Sequence, residues 1–294
     1  MRAWVSHPTP EPAVAVLEAA GLDVRVGGDA AGADGVLAHL IETIDEAFLD
    51  RVGPQLKVVA NFAVGTNNID VAACQARGVV VTNTPDVLTT AVAEHALALM
   101  LGAAKHIAEG DRMIRAGRWR GWSENQIQAV ELRGKTLGIV GMGRTGQEFA
   151  RMAETALGMR IISSRPLPLD ELLAEADVVS LHVPLRPETT HLIGARELAL
   201  MKPKAILLNI ARGPVVDEAA LAEALAHGTI RGAALDVFEQ EPRVHQGLLT
   251  AENAVLSPHL GSATAETRSA MARLAAENVV SVLLGRGPKT PVSG

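Results

Sequence analysis

A glycine-rich turn in the middle of the chain constrains its fold more than any other feature. An apolar run, residues 137–140, leads directly into the segment GMGRTG and then into an amphipathic pattern. In such a strand–turn–helix unit, Gly141 allows the tight turn, Gly143 lets the backbone approach a pyrophosphate, and Gly146 lets the helix pack closely on the strand. A second β-rich run, residues 160–164, completes the unit, so the pattern predicts a dinucleotide site.

Composition limits what the rest of the chain does. Its 294 residues leave room for two domains, and a net charge of −6 disfavours a polyanionic partner. Aromatic residues make up only 2%, which argues against a nucleic-acid surface. The single cysteine, Cys74, excludes an intrachain disulfide, and no apolar run approaches the roughly 18 residues of a membrane span. We therefore expect a cytoplasmic protein that binds no nucleic acid, no membrane and no metal.

Short apolar runs alternate with helical patterns along the chain, which predicts parallel sheets covered by helices. The predicted strands are residues 3–6, 22–26, 35–40, 57–61, 79–82, 137–140, 160–164, 177–183, 205–210 and 232–237. The predicted helices include residues 11–20, 71–77, 89–108, 169–176, 195–201, 218–226 and 265–284, with Ser262 or Thr264 as the cap of the last. Only residues 27–34 join the second and third strands, fewer than the ~10 to 12 of a normal crossover. Either this connection is a bare loop or one strand is wrongly predicted.

Residues 111–135 interrupt the alternation. Two of the chain's three tryptophans, Trp119 and Trp122, lie here among four arginines: Arg112, Arg115, Arg118 and Arg120. Such an arm packs either on a partner subunit or on its own domain. Because tryptophan and arginine are common interface anchors, we expect the partner.

One cation, one carboxylate and one histidine follow consecutive predicted strands. Arg212 follows the strand 205–210, the segment DVFEQEP with Glu241 follows the strand 232–237, and His259 follows the apolar run AVL. The carboxyl ends of parallel strands form the usual ligand edge of an open α/β sheet, so these side chains are expected to converge there.

This set suits the reduction of a carbonyl group by hydride. The alkoxide that forms needs a proton, which a histidine held protonated by a neighbouring carboxylate supplies. A substrate carboxylate needs a permanently charged fork, which arginine supplies. Alone, each residue has an ordinary alternative, namely a surface ion pair for the arginine and a packed or capping role for the histidine.

Several segments of the chain together resemble one known protein family. The glycine-rich turn together with NIARGPVVDEAAL, GAALDVFEQEP and LSPHLGSAT resembles the D-isomer-specific 2-hydroxyacid dehydrogenase family through essentially the whole chain. The segments NFAVGTNNID, NTPDVLT and EGDRMIRAGRW look most like its glyoxylate and hydroxypyruvate reductases. The resemblance implies that Arg212 polarises the keto group and grips the carboxylate. It also implies that Glu241 raises the pKa of His259, and that His259 is the acid and base.

The resemblance also implies an architecture of two doubly wound parallel-sheet α/β domains. A Rossmann-type nucleotide domain, residues 84–261, would be inserted in a flavodoxin-like substrate domain, residues 1–83 plus 262–294, and the family habit implies a homodimer. The implied cofactor residues are Gly141, Gly143, Arg144, Thr145, Gly146, Ser163, Ser164, Arg165, Val183, Pro184, Ile210, Ala211, Asp236 and Gly261. The implied substrate residues are Leu40, Val64, Gly65, Arg212 and His259, with the amides of Val64 and Gly65 on the substrate carboxylate.

Cofactor choice is predicted from the end of the strand 160–164. An NAD enzyme places an acidic residue about 20 positions beyond the first glycine. This chain has Ser163, Ser164 and Arg165 there, and the next acid, Asp170, is expected to cap the following helix. Two hydroxyls and a guanidinium suit a 2′-phosphate, so we predict NADP(H) over NAD(H), with NAD(H) remaining open. The alternative is that Arg165 points into solvent.

Two segments depart from the family pattern. Residues 166–176 are too few for the family's helix, strand and second helix, so we expect the sheet to lack a strand on the adenine side. The reductases often carry a polar residue where Ile41 stands, which leaves the substrate contact in that loop open.

Three functions are compatible with the sequence. The leading one is an NADPH-preferring reduction of glyoxylate or hydroxypyruvate to the D-2-hydroxy acid. Phosphoglycerate dehydrogenase, or another D-2-hydroxyacid dehydrogenase, is second, although residues 35–50 contain no lysine or arginine for a phosphate. A dinucleotide-sensing scaffold similar to transcriptional corepressors is third, and it would not need Arg212, Glu241 and His259.

Overall fold

The computed structural model describes residues 1–292 and divides the chain into two compact units. Unit 1 runs from Met1 to Leu88 and resumes at Ser262, and unit 2 is Thr89–Gly261. The predicted crossing between residues 83 and 84 therefore lies too early. Residues 84–88 belong to unit 1, and the Thr84 N–H donates to the Ala63 carbonyl there at 2.9 Å. The last two residues of the predicted substrate domain, Ser293 and Gly294, lie outside the described residues.

The strands and helices alternate along the described chain. The strands are β1 Arg2–Val5, β2 Asp23–Val26, β3 Gly35–Ala38, β4 Val58–Asn61, β5 Val80–Thr82, β6 Thr136–Val140, β7 Arg160–Ser163, β8 Val178–Leu181, β9 Ile206–Asn209, β10 Gly232–Leu235 and β11 Ala254–Leu256. The helices are α1 Ala13–Ala19, α2 Glu46–Val52, α3 Val71–Ala76, α4 Thr89–Ala104, α5 Ile107–Arg115, α6 Arg144–Leu157, α7 Leu169–Glu175, α8 Ala195–Leu200, α9 Glu218–Ala226, α10 Gln246–Thr250 and α11 Ala265–Leu283.

Unit 1 is a five-stranded parallel sheet in the order β2-β1-β3-β4-β5, which is the flavodoxin-like order. Side chains alternate between its faces. On β1, Ala3 and Val5 pack with α1 and α11, whereas Trp4 packs with Phe48 of α2. Residues 27–34 contain no helix, so the short connection is a bare loop and both flanking strands are correctly predicted. Cys74 is buried in the core, and burial raises the pKa of its thiol to about 11, as expected for a structural side chain.

Unit 2 is a six-stranded parallel sheet in the order β11-β10-β9-β8-β6-β7. Helices α4 and α6 cover one face, and α7, α8 and α9 cover the other. From β7 inward the order is that of the Rossmann fold without a strand beyond β7, because residues 166–176 hold only the single helix α7. Two parallel-sheet α/β units, one of them of Rossmann type, confirm the predicted fold class.

Not every helix agrees with its prediction. The single helix predicted over residues 89–108 is wrong, because His106 adopts φ = 54° in the left-handed region and separates α4 from α5. Helix α2 was not predicted, although Asp45 caps it by accepting from the Phe48 N–H at 2.8 Å. The last helix begins as expected, with Thr264 rather than Ser262 as the cap.

Of the predicted arm, residues 111–135, the first five belong to helix α5, and residues 116–135 contain neither helix nor strand. Trp119 is 52% exposed and Trp122 is 82% exposed, whereas Arg112 and Arg118 bind Glu252 of the same unit at 2.8 and 3.2 Å. Among the described residues, no helix is long and apolar enough to cross a membrane.

Candidate active site

The carboxyl ends of β9, β10 and β11 lie side by side. In the parallel register Asn209 pairs with Leu235, and Leu235 pairs with Leu256. The chain continues from these three ends into the loops that carry Arg212, Glu241 and His259. The structure thus brings all three side chains to the edge of the sheet where the sequence predicts them.

Glu241 and His259 form a direct pair. His259 Nδ1 lies 2.9 Å from Glu241 Oε2, and the other carboxylate oxygen accepts the Phe238 N–H at 3.0 Å. Burial raises the pKa of Glu241, but the hydrogen bond and charge of His259, the Phe238 N–H and the charge of Arg212 lower it more. The carboxylate is therefore ionised at neutral pH and accepts only, so Nδ1 carries the hydrogen. The Nε2 edge of the ring is left for other partners.

Arg212 is held by the loop that follows β9. Burial lowers the pKa of its guanidinium, and the charge of Glu241 raises it. The guanidinium of an arginine stays charged at neutral pH in either case. The fully buried Asn209 fixes this loop, since its Nδ2 donates to the Arg212 carbonyl at 2.9 Å and its Oδ1 accepts the Ala211 N–H at 3.1 Å. The Arg212 Nη1 donates to the Ala211 carbonyl at 2.7 Å.

A reciprocal pair of glutamates holds the loop that carries Glu241. Glu218 Oε1 accepts the Glu239 N–H at 2.6 Å, and Glu239 Oε1 accepts the Glu218 N–H at 2.8 Å. Glu218 is 7% exposed, and its second oxygen accepts the His245 N–H at 3.1 Å. These positioning groups could not be recognised in the sequence, because a glutamate in the first turn of a helix is an ordinary feature.

The glycine-rich turn fits a dinucleotide. Gly141 has φ = +99°, and a Cβ there would lie 2.8 Å from the His182 carbonyl group. A Cβ on Gly146 would lie 2.4 Å from the Gly141 oxygen, whereas open space surrounds Gly143. Helix α6 begins at Arg144 without a side-chain cap, so its first N–H groups and its dipole remain for an anion. Thr145 lies in this first turn.

The remaining predicted cofactor residues follow the strands of the same sheet. Val183 and Pro184 come after β8, Ile210 and Ala211 come after β9, Asp236 comes after β10, and Gly261 comes after β11. They therefore lie at the carboxyl edge of the sheet that also carries the Glu241–His259 pair. Their contacts with a cofactor stay predictions.

The end of β7 presents hydroxyls and a guanidinium rather than an acid. Ser163 Oγ donates to the Arg165 carbonyl at 2.6 Å, and Ser164 Oγ accepts the Gly141 N–H at 3.3 Å. Arg165 is exposed. The prediction that Asp170 caps the next helix is wrong: Pro168 occupies the cap position, and the Asp170 carboxylate binds Arg196 at 2.8 and 2.9 Å.

The predicted substrate residues of unit 1 lie in two loops at the carboxyl edge of its own sheet. Leu40 follows β3, and Val64 and Gly65 follow β4. The buried Asn61 donates to the Gly65 carbonyl at 2.7 Å, and Asn83 donates to the Val64 carbonyl. Within the part of the chain that the structure describes, neither the Val64 nor the Gly65 N–H donates to a protein acceptor. Two neighbouring N–H groups in a fixed loop can bind one carboxylate.

Comparisons with known proteins agree on one family. Residues 97–261 match the family described as "D-isomer specific 2-hydroxyacid dehydrogenase, NAD binding domain". A glyoxylate reductase of Pyrococcus furiosus is 46% identical over 278 residues, which cover 88% of this chain and 82% of that protein.

Solved structures cover nearly the whole chain. A Thermus thermophilus protein superimposes with a TM-score of 0.93 at 43% identity and covers 100% of both chains. An NADPH-dependent glyoxylate/hydroxypyruvate reductase of Sinorhizobium meliloti, solved with NADP and malonate, has a TM-score of 0.87 at 34% identity and covers 99% of this chain and 96% of that one.

Proposed function

The chain belongs to the D-isomer-specific 2-hydroxyacid dehydrogenase family, and from that membership we propose that it is an NADPH-preferring reductase of glyoxylate or hydroxypyruvate. It is an oxidoreductase that reduces a 2-oxo acid to the 2-hydroxy acid. The observation that carries the proposal is the Glu241–His259 pair at 2.9 Å, next to the charged Arg212 at one edge of the sheet. A scaffold that only senses a dinucleotide would not need Arg212, Glu241 and His259.

Each of the three side chains has a distinct task. Arg212 binds the substrate carboxylate and polarises the keto oxygen, because its fork of donors is charged at every working pH. His259 gives a proton from Nε2 to the oxygen that becomes the hydroxyl, while Glu241 holds Nδ1 and fixes the orientation of the ring. In the reverse direction the same nitrogen accepts the proton. A bound nicotinamide dinucleotide supplies the hydride.

The loops of unit 1 support a small carboxylate substrate. The N–H groups of Val64 and Gly65 are our proposed second contact for the carboxylate, with Leu40 as an apolar contact. The exposed Ile41 offers no charge, and residues 35–50 contain no lysine or arginine. This composition favours glyoxylate or hydroxypyruvate over a phosphorylated 2-oxo acid, which needs additional cations.

The proposed preference for NADP(H) is supported by Ser163, Ser164 and Arg165. Ser164 and Arg165 can donate to a 2′-phosphate, and the guanidinium balances its charge, whereas the Ser163 hydroxyl already donates to the Arg165 carbonyl. The next acid in sequence, Asp170, is bound by Arg196. NAD(H) remains the alternative cofactor, since none of these three residues excludes a free 2′-hydroxyl.

We also propose a homodimer that uses the arm and helix α5. Four large apolar side chains are exposed there, namely Ile107, Ile114, Trp119 and Trp122. Exposed apolar side chains grouped in this way are typical of protein interfaces. A cytoplasmic location is likewise our proposal, supported by the use of only one cysteine in the chain.

Steady-state kinetics with a panel of 2-oxo acids tests the proposal. The panel holds glyoxylate, hydroxypyruvate, pyruvate and 3-phosphohydroxypyruvate, each with NADPH and with NADH. We expect the highest kcat/KM for glyoxylate or hydroxypyruvate with NADPH, and chiral analysis of the hydroxypyruvate product should give the D-isomer. A higher kcat/KM for the phosphorylated substrate would instead identify a phosphoglycerate dehydrogenase, and absence of turnover with all four would favour a sensor.

A further inference from the structure

A half-buried histidine outside the predicted site contacts the segment that carries His259. His95 projects from α4, and its Nε2 lies 3.0 Å from Asp236 Oδ1 and 3.0 Å from Ser257 Oγ. Burial raises the pKa of Asp236, but the hydrogen bond from His95 and other partners lower it more, so the carboxylate is ionised. An ionised carboxylate only accepts hydrogen bonds, so His95 Nε2 carries the hydrogen and donates it.

Asp236 in turn holds three successive amides of the His259 segment. Its Oδ1 accepts the Leu260 N–H at 2.7 Å, its Oδ2 accepts the Gly261 N–H at 2.8 Å, and its backbone carbonyl accepts the His259 N–H at 2.9 Å. His259 has φ = 55°, in the left-handed region that residues other than glycine seldom adopt. The segment therefore depends on outside contacts to keep this conformation.

We propose that His95 is a positioning residue for the reaction: by donating to Asp236 it fixes the carboxylate that holds residues 259–261, and so keeps the His259 ring against Glu241. This inference rests on the proposed function for the role of His259. His95 itself has no part in the proton transfer, because its Nε2 hydrogen is donated to Asp236.

The burial of Asp236 makes the contribution of His95 hard to replace. Asp236 is 2% exposed, so bulk water cannot easily take over the position that the histidine leaves. A carboxylate that lacks this donor rotates toward its remaining partners, and the rotation moves the Leu260 and Gly261 amides that it accepts from. A shift of about 1 Å at a reacting group can lower turnover by about 100-fold, so a small displacement of His259 has a large effect.

Two conservative substitutions separate this role from general packing. Gln at position 95 places an N–H donor where Nε2 lies, whereas Asn places it nearer the Cα. We expect His95→Gln to keep kcat within about threefold of the wild type and His95→Asn to lose about 10-fold or more. The KM for the 2-oxo acid should change by less than about threefold in both, because Arg212 is untouched. The exposed His227, whose Nδ1 binds the Glu223 carbonyl, provides the control His227→Gln, for which no change is expected.

A second measurement does not depend on turnover. In the histidine ring ¹H–¹³C spectrum of the cofactor-free protein, the His259 signals are identified by their loss in His259→Gln. They should shift or broaden in His95→Asn and stay in place in His95→Gln. Equal kcat values and unchanged His259 signals in the two His95 variants would overturn the inference. If His259→Ala and Arg212→Ala retain activity, the proposed function fails, and the spectra still decide whether His95 positions His259.

Discussion

A side chain at Gly213 would collide with the backbone of Phe238. A Cβ built on Gly213 would lie 1.8 Å from the Phe238 carbonyl carbon and 2.4 Å from the Glu239 nitrogen. The loop that carries Arg212 and the loop that carries Glu241 are therefore in direct backbone contact. Glycine is needed at position 213 for the space it leaves rather than for an unusual φ. The contact between the two loops sets the distance between the Arg212 guanidinium and the Glu241 carboxylate.

Gly213→Ala should therefore disturb the site. The added methyl group must displace the Phe238 backbone, whose N–H binds Glu241, so the Glu241–His259 pair moves with it. We expect kcat/KM to fall by about 100-fold and the free energy of unfolding to fall by about 1–3 kcal/mol. Gly102→Ala in α4 is the matched control, because a Cβ there would meet only the Val255 side chain, at the ordinary contact distance of 3.8 Å. Normal kinetics in Gly213→Ala would show that the two loops are not rigidly coupled.

His259→Ala and Arg212→Ala should differ in the parameter that they change. Removing the proton donor should lower kcat by about 100-fold or more with a smaller effect on KM. Removing the arginine should lower kcat and also raise the KM for the 2-oxo acid, because it loses ground-state contacts. Near wild-type rates in either variant would contradict the assigned role, and His227→Ala should behave as the wild type.

The fold was predictable wherever a local pattern determined it. The bounds predicted for α9, residues 218–226, agree with the structure because Asp217 caps a regular apolar pattern. The break at His106 was not predictable, since the apolar pattern of residues 89–108 runs through it and only the left-handed conformation of one residue divides the helix. Tertiary contacts decide such positions, and a periodic pattern does not carry them.

The sequence predicts which strand ends carry the site residues, but it does not predict the distances between their side chains. Arg212, Glu241 and His259 follow strands, so their common edge could be inferred from topology. The distance of 2.9 Å between Glu241 and His259, and the donors that fix Asp236, depend on how separate loops pack. His95 carried no signal, because one histidine in an apolar helix has the pattern of an ordinary core residue.

Acid should remove a stabilising contribution of Glu241. Its pKa in the folded protein lies below the ordinary value of 4.5, since hydrogen bonds to the carboxylate outweigh the effect of burial. A carboxylate with a lowered folded pKa stabilises the fold fully above its unfolded pKa, and this contribution is lost as the pH falls through the folded pKa. The difference in urea midpoint between the wild type and Glu241→Gln should thus be constant at neutral pH and shrink below pH 4.5. A difference that stays constant down to about pH 2 would contradict the lowered pKa.

Charge in the arm should weaken the dimer. Trp122 is 82% exposed in the single chain, and a glutamate there would be desolvated without a partner in an apolar interface. We expect sedimentation velocity to give a dimer for the wild type at micromolar concentration and a larger monomer fraction for Trp122→Glu. Leu249→Glu, at an exposed apolar position of α10 outside the arm, is the control and should leave the dimer intact. A monomeric wild type would reject the dimer.

Arg165→Asp should reverse or abolish the preference for NADPH. The exposed guanidinium at the end of β7 can pair with a 2′-phosphate, whereas an aspartate repels that phosphate and accepts hydrogen bonds from the ribose hydroxyls of NADH. Ser163 has no carboxylate, and its Oγ donates to the Arg165 carbonyl. The carboxylate of Asp170 is bound by Arg196, so neither residue offers a carboxylate to the ribose in the wild type. We expect kcat/KM to favour NADPH in the wild type and NADH, or neither cofactor, in the variant. Arg273→Asp on α11 makes the same charge change elsewhere and should keep the preference. Equal efficiency of the wild type with both cofactors would show that Arg165 points into solvent and takes no part in cofactor choice.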